Sequence, residues 1–344
     1  MYFKMKKYML GILLAIPFIG IAQENSWNSW HKEIRPRMRV MIDNDYAGDP
    51  DGLFQLVHHL LSPSIEIKGI IGSHLKPGDG FDSSDQTATH AVENINEVID
   101  LLNLDDKFPV YQGSNSGLKN ISTPNESAAA KAIVKEAMRT DVNSPLYLIC
   151  GGGLSEIASA YLLEPKIAEK IILIWIGGTE YSDMATPPPG YTTLEYNTGI
   201  DIKAAQVIFN SSTIPLWQVP RNAYRETLMS YAELKTRVQP AGKIGAYLVE
   251  KIEAIIKMTN EYEIYMGETY IMGDNPLVLL TALQSSFEAD PSSSFYEIKQ
   301  APLINDEGVY EVNHSGRNIR VYHHLDNRLM FEDFYGKLQL FQQN

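Results

Sequence analysis

The sequence predicts an α/β fold with a mainly parallel, mixed central sheet flanked by helices, and three observations carry the prediction. Short apolar runs alternate with stretches of helical periodicity. The apolar runs are continuous, as in strands buried on both faces. The segments that follow them concentrate Gly, Asp and Pro, and the ligand-binding rim of such a sheet lies beyond the carboxyl ends of its strands.

Taken in order, Val40 to Ile42 reads as a strand before an acidic loop, Leu53 to Leu61 as a helix and Ile65 to Ile71 as a second strand. Ser84 to Leu102 is amphipathic, with Ala91, Ile95, Val98, Ile99 and Leu102 on one helical face. Val110 marks a short strand, Ala128 to Met138 a helix and Leu146 to Cys150 a strand. Leu154 to Leu163 is helical, Ile171 to Ile176 a strand, Ile200 to Phe209 a helix and Ile214 to Val219 a strand. Helical periodicity then runs from Thr227 to Tyr262, broken at Pro240 and Gly242, and Asp274 stands at a helix start. Phe295 to Ile298 and Ile319 to His323 predict strands, and Leu329 to Leu340 a closing helix. No linker, repeat or low-complexity tract interrupts residues 23–344, so they predict a single domain.

Residues 1–22 combine Lys4, Lys6 and Lys7, an apolar run and a small residue, Ala22, which is the pattern of a cleaved secretory leader. The run is shorter than the ~20 residues that span a bilayer, so no stable membrane insertion is expected after cleavage. Export to the periplasm or the extracellular space follows as an expectation. Loss of the leader takes the formal net charge from -13 to about -16, which disfavours nucleic acid as a partner. Cys150 is the sole cysteine, so an intramolecular disulfide is excluded.

The stretch DNDYAGDPDG, residues 43–52, carries Asp43, Asp45, Asp49 and Asp51 directly after the first strand. Carboxylates this crowded repel one another unless a cation lies between them, and hard oxygen donors suit Ca²⁺ or Mg²⁺. A solvated acidic turn is the alternative, since Asp, Gly and Pro are turn residues.

An apolar strand leading into D-x-D, a Gly-containing loop, a further Asp and a helix resembles the amino-terminal motif of the inosine-uridine preferring nucleoside hydrolase family. PVYQGS (109–114), GGLSEIASAYLLEP (152–165), IWIGG (174–178), LEYNTGIDIKAAQVIF (194–209), MGDNPLVLLTAL (272–283) and RVYHHLDNRLMFEDFYGKL (320–338) are similar to its successive segments, in order. The resemblance covers nearly all of residues 38–340. It implies a nucleoside hydrolase-like fold with a Rossmann-like core, a Ca²⁺ cofactor and calcium-dependent hydrolysis of the N-glycosidic bond of a ribonucleoside or related N-riboside. It further implies Asp45 as metal ligand and general base, Asp274 and the Gly151 carbonyl as further ligands, and Glu195 and Asn197 as ribose-binding residues. A homo-oligomer is expected on the same ground.

The chain departs from the family pattern in places. The usual adjacent pair of Asp residues is replaced by Asp49, Pro50, Asp51 and Gly52; Asp51 is expected as a metal ligand and Asp49 as a ribose-binding or second ligand. The Asn after the second strand is absent, and Gly273 stands where a His often precedes the carboxyl-terminal Asp. His74, Tyr270 and Arg221 are the candidates for the missing proton donor, with His74 expected to reach the substrate. These departures keep open a catalytically altered, exported nucleoside- or sugar-binding protein of the same fold. The D-x-D start also occurs in haloacid dehalogenase-like phosphatases, but Ala47 stands where that motif places Thr or Val.

Overall fold

The computed structural model describes residues 31–104, 107–191, 193–285 and 294–342, and the expected leader lies outside the described residues. The first half of the fold alternates strand and helix as β1 (Met38–Asn44), α1 (Asp51–Leu60), β2 (Ile65–Gly72), α2 (Thr87–Leu101), β3 (Val110–Gln112), α3 (Ala128–Ala137), β4 (Leu146–Cys150), α4 (Ser155–Leu163) and β5 (Ile171–Ile176). The short helices α5 (Tyr196–Ile200) and α6 (Ile202–Gln206) precede β6 (Leu216–Val219) and α7 (Arg221–Tyr224).

Eight strands form one sheet. With β9 (Phe295–Gln300) and β12 (Asn318–His324), its order is β3-β2-β1-β4-β5-β6-β12-β9. Every neighbouring pair is parallel except β9 with β12, giving the mixed sheet that the sequence predicts. The chain moves outward from β1 through β2 and β3 and then returns to lay β4 on the other side of β1. Such a reversal opens a crevice at the carboxyl ends of the two central strands, because the connecting helices leave in opposite directions.

All seven residues of β1 are buried. Val40 and Ile42 pack into the layer formed with α1 and α2, whereas Met41 points into the layer formed with α3 and α4. The strand is therefore held from both faces, and its last residues have little freedom. Phe334 on the closing helix α11 (Asn327–Gln342) lies 5.9 Å, centroid to centroid, from Phe54 on α1, so the C-terminal helix braces the helix that begins at Asp51.

The structure corrects the reading after Thr227. Residues 228–230 form β7, antiparallel to β8 (Thr269–Ile271), before α8 (Tyr231–Glu233) and the long α9 (Gly242–Glu261). Local periodicity does not reveal β7, because its hydrogen-bonding partner is about forty residues away in sequence. Its consequence is positional: β8 delivers the chain to Gly273 and Asp274, just before α10 (Pro276–Leu279). A second hairpin of β10 (Leu303–Ile304) and β11 (Tyr310–Glu311) is also absent from the sequence reading. The second helix begins at Thr87, since Asp82 accepts the Ser84 amide in a turn instead. Among the described residues no helix is long and apolar enough to cross a membrane.

Phe334 is fully buried against α1. Phe334→Ala is expected to lower the unfolding free energy by about 3–5 kcal/mol. Urea denaturation followed by circular dichroism checks this, and a loss below about 1 kcal/mol would contradict the bracing role.

Candidate active site

The carboxyl end of β1 lies beside the carboxyl end of β4, with Asp43 in register with Cys150. The loops leaving these two strands, together with the start of α5, the end of α7 and the segment after β8, enclose a cavity of ≈ 160 Å³. Asp45, Asp49, Asp51, Gly151, Glu195, Asn197 and Asp274 all line it, with Phe81, Tyr196, Tyr224 and Gly273. Residues as distant in sequence as Asp45 and Asp274 thus share one wall.

The turn at residues 45–48 closes by a 2.7 Å bond from the Gly48 amide to the Asp45 carbonyl. Asp49 is held by the Tyr270 hydroxyl, which donates to its Oδ1 at 2.7 Å. Asp51 accepts the Gly52 amide at 2.9 Å and the Asp274 amide at 3.1 Å, so the start of α1 is tied directly to the start of the distant segment. Asp274 Oδ2 in turn accepts a 2.9 Å bond from the Asn44 side chain. A Cβ at residue 52 would stand 3.3 Å from Asp274 Oδ2, and one at residue 273 would stand 3.2 Å from Asp51 Oδ2. The two glycines therefore leave open the space around these oxygens.

Burial dominates the electrostatics. It pushes the Asp45 carboxyl well above the usual range, with Asp274, Asp49 and Asp79 adding repulsion. Asp51 is likewise raised, first by burial and then by Asp274, Asp49 and Asp45. Burial lifts Asp49 to about 6 against the opposing Tyr270 bond, and Asp274 to about 7 against the Asn44 bond. Without a cation, protons must relieve this repulsion.

The donor chemistry fits a hard divalent ion: carboxylates of Asp45, Asp51 and Asp274 and the carbonyl of Gly151 border one concavity. Among the described residues no three His, Cys, Asp or Glu side chains already form a metal-binding group. Asp51 accepts from backbone amides and Asp274 from the Asn44 amide. Gly52 and Gly273 place no side chain beside the Asp274 and Asp51 oxygens.

Glu195 and Asn197 reach the cavity but work largely within the protein. Glu195 caps α5 by accepting the Asn197 and Thr198 amides at 3.1 and 3.0 Å. It also accepts from the Gly178 amide at 2.8 Å and the Tyr224 hydroxyl at 3.0 Å. Asn197 donates to the carbonyls of Gly151 at 2.6 Å and Ile176 at 2.9 Å, fixing the carbonyl expected as a ligand.

His74 is not brought into the cavity. Its buried ring is held between the Leu75 carbonyl and the Ser155 hydroxyl, both at 2.8 Å, and burial lowers its pKa. His74, expected to reach the substrate, lies on the loop after β2 with its ring turned inward and does not line this cavity. Arg221 is engaged in a buried two-point pair with Glu180, at 2.8 and 2.6 Å. That pair lies in a larger cleft of ≈ 610 Å³ lined also by Tyr181, Lys299 and Tyr310. Size favours the larger cleft, but the convergent carboxylates favour the smaller cavity.

Sequence reasoning missed the wall opposite the acidic loop. Tyr196 donates to buried Asp79 at 2.9 Å, and Lys76 lies 3.6 Å from the same carboxylate. The G-D-G turn at residues 78–80 gives no hint of this, whereas the position of Tyr196 between Glu195 and Asn197 is a usable signal. Asn44, set between two Asp residues in an otherwise apolar strand, is another.

With this geometry in hand, comparison with known proteins is decisive for family. A model of the family described as inosine-uridine preferring nucleoside hydrolase matches residues 40–332. The chain belongs to that family. The phosphatase reading is thereby set aside. The inosine-uridine preferring nucleoside hydrolase of Leishmania major is 26% identical over 161 residues, covering 44% of this chain and 48% of that protein. The alignment thus spans about half the length of that relative. The purine-preferring ribonucleoside hydrolase from Gardnerella vaginalis shares the fold with a TM-score of 0.66 and 19% identity, over 89% of this chain and 100% of that one. The inosine-uridine preferring nucleoside hydrolase from Bacillus anthracis does so with a TM-score of 0.63 and 14% identity, over 88% of this chain and 100% of that one. Both structural likenesses concern the fold.

The raised carboxyls give a pH prediction for this nucleoside hydrolase-family chain. Above pH 6.5 the folded, metal-free protein still holds protons on groups such as Asp274, at about 7, that the unfolded chain releases near 4. The folded state binds more protons there, so the stability that Asp274 contributes is lost as pH rises from about 4 through about 7 and is gone by about 8. Buried His58, His59 and His74, with lowered pKa values, act in the opposite sense over an overlapping range, so the Asp274 contribution is read as the difference between the parent and Asp274→Asn. Thermal melts in chelator are expected to show the parent losing stability relative to Asp274→Asn as pH rises from about 5 to 8; a difference independent of pH would refute the assignment.

Proposed function

We propose that this chain is a calcium-dependent hydrolase of the N-glycosidic bond of a ribonucleoside or related N-riboside, releasing ribose and free base. The observation that carries the reading is the meeting of Asp45, Asp51 and Asp274 in one cavity at the strand-order reversal. A volume of ≈ 160 Å³ is below the ~300–1,000 Å³ of pockets that enclose drug-sized ligands and suits a sugar ring, with the base toward the opening.

Asp45, Asp51, Asp274 and the Gly151 carbonyl would hold the ion. When bound, Ca²⁺ supplies charge neutralisation and the acidification and orientation of a water. Asp45 accepts the proton of the attacking water as its oxygen bonds to the anomeric carbon and the bond to the base nitrogen breaks, its electron pair leaving with the base, which takes a proton from solvent at the opening. Asp49 offers an acceptor to a ribose hydroxyl, and the acidic wall stabilises positive charge developing on the ring. Glu195 and Asn197 border the sugar and hold Gly178 and Gly151 in place, which fixes the wall before substrate arrives.

The second reading is a nucleoside- or sugar-binding protein of this fold without turnover. It is favoured by Gly273, which places no proton donor beside the leaving group, and by the engagement of the Tyr196 and Tyr224 hydroxyls with Asp79 and Glu195. Export through the leader pattern at residues 1–22 and assembly as a homo-oligomer belong to the same proposal. Mass spectrometry of the secreted chain and light scattering test them.

Incubation of the calcium-loaded protein with purine and pyrimidine ribonucleosides, followed by assay of reducing sugar, is expected to detect ribose release. Asp45→Asn and Asp274→Asn are each expected to lower turnover by at least about 100-fold. Tight nucleoside binding without ribose release across the panel would favour the second reading, and wild-type rates in either variant would overturn the first.

A further inference from the structure

Behind the acidic cavity runs a buried chain of polar side chains that the proposed chemistry does not use. The Asn44 amide nitrogen donates to Asp274 Oδ2 at 2.9 Å and lies 3.3 Å from Gln55 Oε1. The Gln55 amide nitrogen meets His59 Nδ1, and His59 Nε2 lies 3.1 Å from the Thr281 hydroxyl. That hydroxyl donates to the Leu277 carbonyl at 2.6 Å. Asn44, Gln55, His59 and Thr281 are all fully buried.

Donor and acceptor roles along this chain are mutually fixed. Asn44 Oδ1 accepts the Asp45 amide at 2.9 Å, so its nitrogen must face Asp274 and Gln55. Gln55 must then present its oxygen to Asn44 and its nitrogen to His59. His59 Nδ1 is consequently an acceptor, and its single proton lies on Nε2, directed at Thr281. Neutral imidazole is the form this arrangement requires, and burial of the ring favours the same form. Reversal of any one member would set two donors against each other in the core.

The placement of the ends gives the chain its consequence. Asn44 precedes Asp45, Gln55 and His59 stand one turn apart on α1, and Asp274 and Thr281 bracket α10. A Cβ at Gly52 would lie 3.0 Å from the Asn44 nitrogen, so Asn44 occupies the space beside the first turn of α1. We propose that Asn44, Gln55 and His59 are positioning residues that seat the Asp274–Thr281 segment against β1 and α1 and thereby set the distance between Asp45 and Asp274. This rests on the proposed function for its catalytic consequence, while the seating itself does not.

Gln55→Met keeps the volume and removes the contacts with Asn44, Tyr46 and His59, whereas Gln55→Glu in its protonated form can still accept from Asn44 and Tyr46 and donate to His59. His58→Leu, which removes the adjacent buried ring from a separate cluster with Asp333 and Lys337, controls for general damage to α1. In chelator, amide exchange across residues 272–281 is expected to be about tenfold faster in Gln55→Met and in Asn44→Ala, with Gln55→Glu and His58→Leu close to the parent. Calcium titration calorimetry is expected to show affinity weakened about 10–100-fold in Gln55→Met, and ribose release to show a fall in kcat with little change in KM. Parent-like protection in Gln55→Met, or equal loss of protection in His58→Leu, would overturn the proposal. A parent protein that neither binds calcium nor releases ribose would defeat the functional reading alone, because the exchange comparison in chelator is decided without metal or turnover.

Discussion

Mutual repulsion among buried carboxylates is the constraint around which this molecule is arranged. Asp45, Asp49, Asp51 and Asp274 are drawn out of water beside one another, where each ionised group raises the cost of ionising the next. A fold can hold such groups together only if their backbones are fixed by something stronger. Here that is the sheet: β1 is buried on both faces and anchored to β2 and β4 along its length. The strand-order reversal then opens a crevice at the point where these side chains emerge.

The surrounding donors refine what the sheet fixes. Tyr270 holds Asp49, Asn44 holds Asp274, and the Asp274 amide holds Asp51. A second tier, Glu195 and Asn197, secures the glycine-rich ends of β5 and β4. Because these donors come from backbone and neutral side chains, they orient the carboxylates without cancelling their charge. That combination leaves a site whose electrostatic demand is met by protons or by a cation.

Two of the departures from the family pattern, Gly52 and Gly273, stand where a side chain would crowd the cavity. Gly52 and Gly273 remove side chains next to Asp274 and Asp51, and Asn44 fills part of the volume so created. Asn44 brings a neutral amide into contact with Asp274. Asp274 is thus restrained by a donor that leaves its charge in place.

The sequence by itself determined the alternating α/β architecture, the acidic loop after the first strand and the order of the family's segments. These are local properties: apolar runs, helical spacing and turn residues are written in neighbouring positions. It also brought Asp45, Asp51 and Asp274 under suspicion through resemblance. Only the tertiary structure decided that Asp49 and Asp51 both face the cavity, that His74 turns inward, and that Tyr196 joins Asp79. It also decided that β7 pairs with β8 to deliver Asp274. Those outcomes depend on hydrogen bonds and packing between residues far apart in the chain, whose partners local pattern does not specify.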